Sequence, residues 1–185
     1  MPITKAQLAH FPNPVFVETG TYRGEAIRFA REIGFQQIYS VDIDAGRIRG
    51  LQTTFQREGV KNVELHACDS PAFLRKVIPE LKEPVTFWLD AHPPGYDLRR
   101  DNCPTWQELA LIAELCKVPV TILVDDMACF RPDNYDDLVA TAQRLFPSHD
   151  VVRIDGHPKR SADVLLICDT IPDSCTVYAL NRGAK

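Results

Sequence analysis

The chain has 185 residues, a formal net charge of −4 and 45 % hydrophobic residues. This is the length of one domain with its own core, expected over 1–185, and the acidic balance argues against nucleic acid as a partner. No apolar run is long enough to span a bilayer, and Met1-Pro-Ile-Thr-Lys5 lacks the apolar core of a secretory signal, so neither a membrane partner nor export is expected.

Strand-like and helix-like segments alternate from end to end. The first apolar β-type run, Val15–Thr19, stops in Glu18-Thr-Gly20, turns, and enters an amphipathic stretch over Gly24–Ile33. A strand, a glycine turn and a helix in that order form the first crossover of a doubly wound fold that holds an adenosine-containing cofactor. Gly20 is read as letting backbone approach that cofactor where a Cβ would clash. Glu18 at the strand end would repel a pyrophosphate, which favours a cationic ligand over a dinucleotide. The competing reading is an ordinary strand-to-helix turn with a solvated Glu.

The second strand, Gln37–Ile43, carries Asp42 where such folds hydrogen-bond a ribose. Asp44 is the alternative, its side chain falling on the same face, although it also suits the N-cap of the helix over Ala45–Glu58. The third strand, Val63–Ala67, is followed by Asp69-Ser-Pro71, so Asp69 either faces an adenine or caps the helix over Pro71–Leu81. The fourth strand, Val85–Ala91, contains Asp90 and leads to His92; the fifth, Val120–Asp125, ends in Asp125-Asp126. In a parallel sheet these strand ends share one edge. Acids crowded there require protons or a cation, and an all-oxygen set suits Mg²⁺ or a similar hard ion. A bland alternative has Asp125 facing the cofactor while Asp126 caps or is solvated.

Helices are expected over Thr105–Cys116 and Asn134–Phe146, and strands over Asp150–Asp155 and Asp163–Cys168. Only the polar connector Gly156-His-Pro-Lys-Arg-Ser161 separates the last two, so they form an antiparallel hairpin. The loop 93–104, with Tyr96, Arg99 and Arg100, reads either as an acceptor lid or as an exposed basic turn. His157 lies in the hairpin connector, either near the acceptor or simply in a turn. The six cysteines, Cys68, Cys103, Cys116, Cys129, Cys168 and Cys175, form no C-x-x-C pair. They read as reduced thiols of a cytoplasmic protein rather than a zinc site.

The element order, five βα units and a closing hairpin, resembles the class I S-adenosylmethionine-dependent methyltransferases. Glu18-Thr-Gly-Thr-Tyr-Arg-Gly-Glu-Ala26, Leu89-Asp-Ala-His92 and Val124-Asp-Asp-Met127 together resemble the macrocin O-methyltransferase group and, more distantly, the catechol-type O-methyltransferases. The resemblance covers roughly Val15 to Met127. It implies an α/β, doubly wound, mostly parallel seven-stranded sheet with a C-terminal antiparallel hairpin. It further implies S-adenosylmethionine held by Glu18, Thr19, Gly20, Tyr22, Gly24, Asp42 and Asp69, and a divalent metal on Asp90, Asp125 and Asp126. The activity implied is O-methylation of a small hydroxylated acceptor such as a sugar or secondary metabolite, with Asp90 or His92 as the catalytic base. A non-catalytic cofactor- or partner-binding domain is the alternative. Two departures stand out. The macrocin group has Asp-Gly-Asp where this chain has Asp90-Ala-His92, and His92 also admits a purely structural role. The helices that roof the acceptor in those families have no counterpart before Val15, so the roof is expected from 93–103, from 129–135, or from a second copy in a homo-oligomer.

Overall fold

The computed structural model describes residues 3–93, 95, 97–156 and 161–180. Tyr96 and His157 lie outside the described residues. In chain order the elements are α1 (Lys5–Leu8), β1 (Val15–Thr19), α2 (Glu25–Ile33), β2 (Gln37–Asp42), α3 (Ala45–Arg57), β3 (Val63–Ala67), α4 (Ser70–Val77), β4 (Val85–Leu89), α5 (Thr105–Leu115), β5 (Val120–Val124), α6 (Pro132–Leu145), β6 (Asp150–Ile154), β7 (Val164–Cys168) and β8 (Val177–Tyr178). The strands form one sheet in the order β3-β2-β1-β4-β5-β7-β6-β8. The first five are parallel, and β7 enters antiparallel between β5 and β6. The expected seven strands are therefore joined by an eighth, a two-residue edge strand on β6.

The sheet is covered on both faces, which is why its central strands are continuous apolar runs. Val15 and Val17 pack with Phe87, Ile122 and Leu165 against α4, α5 and α6. Phe16, Ile38, Trp88, Leu123 and Leu166 turn the other way, against α1, α2 and α3. This alternation decides where the polar strand ends point. Glu18 and Asp42 lie on the α2 side, while Thr19 lies on the α5 side. No helix among the described residues is long and apolar enough to cross a membrane.

The turn after β1 is closed tightly against the end of β4. Asp90 N donates to Thr19 O at 3.0 Å, and Gly20 has φ +91°. A Cβ on Gly20 would fall on the Asp90 carbonyl, 2.7 Å from its carbon. The glycine is thus required by the β1–β4 approach itself, a reason different from the close cofactor contact expected from sequence. Gly20→Ala should lower unfolding free energy by about 2 kcal/mol or more, because both the left-handed backbone and the contact are violated. Urea denaturation measures this, and a loss below roughly 0.5 kcal/mol would contradict the tight closure.

Candidate active site

The carboxyl ends of β1, β2, β4 and β5 form one rim, and the antiparallel β7 brings its N-terminal end to the same edge. Glu18, buried in β1, stands beside Ser40 in the β1–β2 register. Ser40 Oγ donates to Glu18 Oε2 at 2.5 Å, and Thr21 Oγ1 lies 2.7 Å from Ser40 Oγ, so a hydroxyl chain runs to the carboxyl group. Burial pushes the Glu18 pKa from 4.5 to about 8; the Ser40 bond opposes the shift, and Asp90, Asp42 and Glu25 add to it. Burial thus favours the neutral acid near pH 7, and a positive charge placed beside Glu18 would favour the carboxylate.

At the end of β2 the two candidate acids separate. Asp44 caps α3, its Oδ1 accepting from Gly46 N at 2.8 Å and Arg47 N at 3.0 Å, and these bonds hold its pKa below the usual carboxylate value. Asp42 instead turns to the β1–α2 loop. Its oxygens accept from Tyr22 N at 2.9 Å, from Asp44 N at 2.9 Å, and from Arg47 Nη1 at 3.0 and 3.3 Å. Arg47 thus contacts both oxygens of Asp42. Tyr22, at φ 46° and 49 % exposed, lies between the guanidiniums of Arg23 and Arg47, each 5.2 Å from its ring centroid. Beside it Ile43 is 80 % exposed, an apolar side chain at the rim that no motif singled out. Gly24, at φ +72°, starts α2 and packs against Leu51. Asp69 is exposed and caps α4 through Ala72 N at 3.0 Å.

Thr19 is not on the Glu18 side. Among the described residues its Oγ1 makes no well-aligned hydrogen bond, nor do the buried carboxyl oxygens of Glu108 from α5. Burial pushes the Glu108 pKa to about 7, while the Ser70 and Thr19 hydroxyls and His92 draw it down. Sequence reasoning missed this acid. The signal was present, since Glu108 shares the buried stripe of Thr105, Leu109 and Ile112.

Asp90 and His92 form a pair. His92 Nε2 lies 3.1 Å from Asp90 Oδ1 and 3.6 Å from Asp126 Oδ2, a charge contact rather than an aligned hydrogen bond, and Nδ1 lies 3.1 Å from Pro93 O. Burial works to lower the His92 pKa, but Asp90, the Pro93 carbonyl and Asp126 together outweigh it and raise the value to about 9. His92 is therefore an imidazolium at pH 7, with no lone pair to accept a proton. Of the two, Asp90 is the more open, its side chain 24 % exposed against 6 %.

The acids at the end of β5 are crowded. Asp125 is buried, its Oδ2 has no hydrogen-bond partner, and burial with the charges of Asp90 and Asp126 holds its pKa well above the usual value. Among the described residues, the sets of three or more ligand atoms lying within 4.8 Å of one another are Asp90, His92 and Asp126, and Asp125, Asp126 and Asp163. The expected trio of Asp90, Asp125 and Asp126 does not form one such set: Asp90 groups with His92 and Asp126, and Asp125 with Asp126 and Asp163. The donor set still fits a hard cation, since orphaned buried carboxylate oxygen calls for a positive partner. Asp163 was read only as a strand start. Nothing local marks it, because its neighbours come from the insertion of β7 beside β5.

No protein-family model and no curated protein sequence matches the chain. Solved structures do. The O-methyltransferase TomG from Streptomyces achromogenes, crystallised with SAM, superposes with TM-score 0.64 at 14 % identity over 90 % of this chain and 78 % of its own. The 23S rRNA methyltransferase ErmE gives 0.56 at 16 % identity over 90 % and 68 %, and spermidine synthase from Thermotoga maritima gives 0.62 at 13 % over 88 % and 56 %. The chain has the fold of the S-adenosylmethionine-dependent methyltransferases, and at this identity the likeness concerns fold alone.

Glu18 holds its proton more tightly folded than unfolded, so its contribution to stability is complete below pH 4.5 and falls as pH rises towards about 8. The raised His92 value gives the same sign between 6.5 and about 9. Between about pH 5 and pH 8, Glu18→Gln should gain roughly 2 kcal/mol or more on the parent protein in chemical denaturation. A difference that stays constant with pH would rule out a neutral Glu18.

Proposed function

We propose that this protein is an S-adenosylmethionine-dependent O-methyltransferase acting on a small hydroxylated acceptor, aided by a divalent cation, in the cytoplasm. The observation that carries the reading is Glu18, a buried and protonatable acid at the end of β1, where a dinucleotide fold would offer a glycine to a phosphate. A sulfonium with a neighbouring ammonium is the ligand that repays such an acid, and the acidic balance of the chain favours a small acceptor over RNA.

S-adenosylmethionine supplies an electrophilic methyl group when bound. As a carboxylate, its proton released to solvent water, Glu18 would hold the positive end of the ligand, with the Ser40 hydroxyl bonded to it and Thr21 next in the chain. Gly20 and Gly24 shape the loop, the exposed Tyr22 and Ile43 would cover apolar ligand surface, and Asp69, which caps α4, would face the adenine. Asp42 would hold the ribose hydroxyls, which requires Arg47 to release its oxygens. Asp90 accepts the acceptor's hydroxyl proton, since it is the more open member of the pair and His92 is already charged. His92 orients Asp90, and holding the acceptor oxygen in line with the methyl group supplies much of the rate.

The occupied Asp42 favours a second reading, a methyltransferase-like binding domain whose ribose position is closed by Arg47. Calorimetric titration with S-adenosylhomocysteine is the deciding experiment. Binding is expected, weakened about tenfold or more by Glu18→Ala, with no heat from NAD. Absence of S-adenosylhomocysteine binding removes the methyltransferase reading. Once an acceptor is found, His92→Ala should lower kcat about a hundredfold with an unchanged cofactor Kd. An equal loss of cofactor affinity would place His92 in binding instead.

A further inference from the structure

Continuing the β5–β7 register past its last pair, Val124 with Leu165, brings Asp163 opposite Asp126. Backbone contacts fix it there. Met127 N donates to Asp163 O at 2.9 Å, and Ala128 N donates to Asp163 Oδ1 at 2.8 Å. Asp126 sits at φ 54°, a left-handed kink that ends the extended chain immediately after Asp125. As a result one oxygen from each of Asp125, Asp126 and Asp163 lies within 4.8 Å of the others.

Two features make this more than a patch of acid. Asp125 and Asp163 are 4 % and 2 % exposed, so water does not screen the crowding. Asp125 Oδ2 is also sealed from solvent and accepts no hydrogen bond among the described residues, an orphan that a cation would satisfy. Oxygens at this spacing fit around a hard ion with ligand distances of about 2.0–2.6 Å. The bond from Ala128 N to one oxygen of Asp163 is the kind of outer contact that orients a ligating carboxylate. On the other side of Asp126, His92 Nε2 lies 3.1 Å from Asp90 Oδ1 and 3.6 Å from Asp126 Oδ2, so the imidazole, not Asp125, completes the cluster that contains Asp90.

We propose that the divalent-cation site of this protein is built from Asp125, Asp126 and Asp163, one strand away from the expected trio, with Asp90 withheld from the ion by His92. The use of the ion in methyl transfer rests on the function proposed above; its binding does not. The site straddles β5 and β7, leaving Asp90 and His92 as a separate acid–base pair on β4's side of the rim.

The test is titration of the ligand-free full chain with Mn²⁺ alone, followed by the loss of the free-ion electron paramagnetic resonance signal. The parent is expected to take up one Mn²⁺, Asp163→Asn to weaken it about tenfold or more, and Asp90→Asn to leave it within about twofold. Asp163→Asn keeps an oxygen for the Ala128 N–H. Should that variant fail to fold, Asp90→Asn decides alone, because the expected trio requires it to lose the ion and the proposed one does not. Loss of Mn²⁺ in Asp90→Asn, or its retention in folded Asp163→Asn, overturns the proposal. So does a parent protein that takes up no Mn²⁺; if that protein still binds S-adenosylhomocysteine, the function stands and only the ion site fails. Mn²⁺ uptake lost in Asp163→Asn, in a chain that ignores S-adenosylhomocysteine, upholds the site and removes the function.

Discussion

Glu18, Glu108, Asp125 and Asp163 are all withdrawn from water at or just beneath one edge of a parallel sheet, with Asp90 and Asp126 between them. Carboxyl groups packed this closely in a poorly solvated place cannot all be ionised unless positive charge is supplied. Much of the local chemistry follows from that constraint. Glu18 and Glu108 keep protons near neutral pH, Asp125 is pushed up by its neighbours, and His92 is forced into its charged form. The rim is thus a place where added positive charge would be stabilised.

The backbone that creates the crowding is itself tightly specified. β1 and β4 run in register, the Asp90 amide bonds back to Thr19, and Gly20 passes so near the Asp90 carbonyl that no side chain fits. Moving β4 away would relieve the repulsion among the acids but would also open the core around Phe87 and Trp88. Packing of those large buried rings therefore holds in place an electrostatic arrangement that is unfavourable by itself. His92 lies beside both Asp90 and Asp126, its Nε2 3.1 Å and 3.6 Å from their oxygens, where its positive charge offsets part of the crowding.

Most of the fold was legible because its strands are short apolar runs bounded by turn residues. Val15–Thr19 and Val63–Ala67 match to the residue, and the other expected strands differ by at most two residues at an end. The helix after β3 stops at Val77 and continues as a 3₁₀ turn through Ile78–Glu80, because Pro79 cannot donate to the ladder. The last helix begins at Pro132, two residues earlier than its polar pattern suggested, since proline is well suited to a first helical turn. α1 and β8 escaped notice, being four and two residues long and too short to show a period. A capping box between Thr4 and Gln7 was the one available trace of α1.

Order of elements, the rim and the acids at the ends of β1, β2, β4 and β5 were determined by the sequence alone, because hydrophobic period and turn chemistry are local properties. Which acids meet was decided only by tertiary structure. Asp44 became a cap while Asp42 took Arg47, since the exit direction of α3 selects between two residues on one face. Asp163 reached Asp125 and Asp126 because an antiparallel strand was inserted where a parallel one would have carried its first residue to the opposite edge. Pairings of that kind depend on sheet order and on the competition of nearby charges, and neither is written in the spacing of residues along a chain.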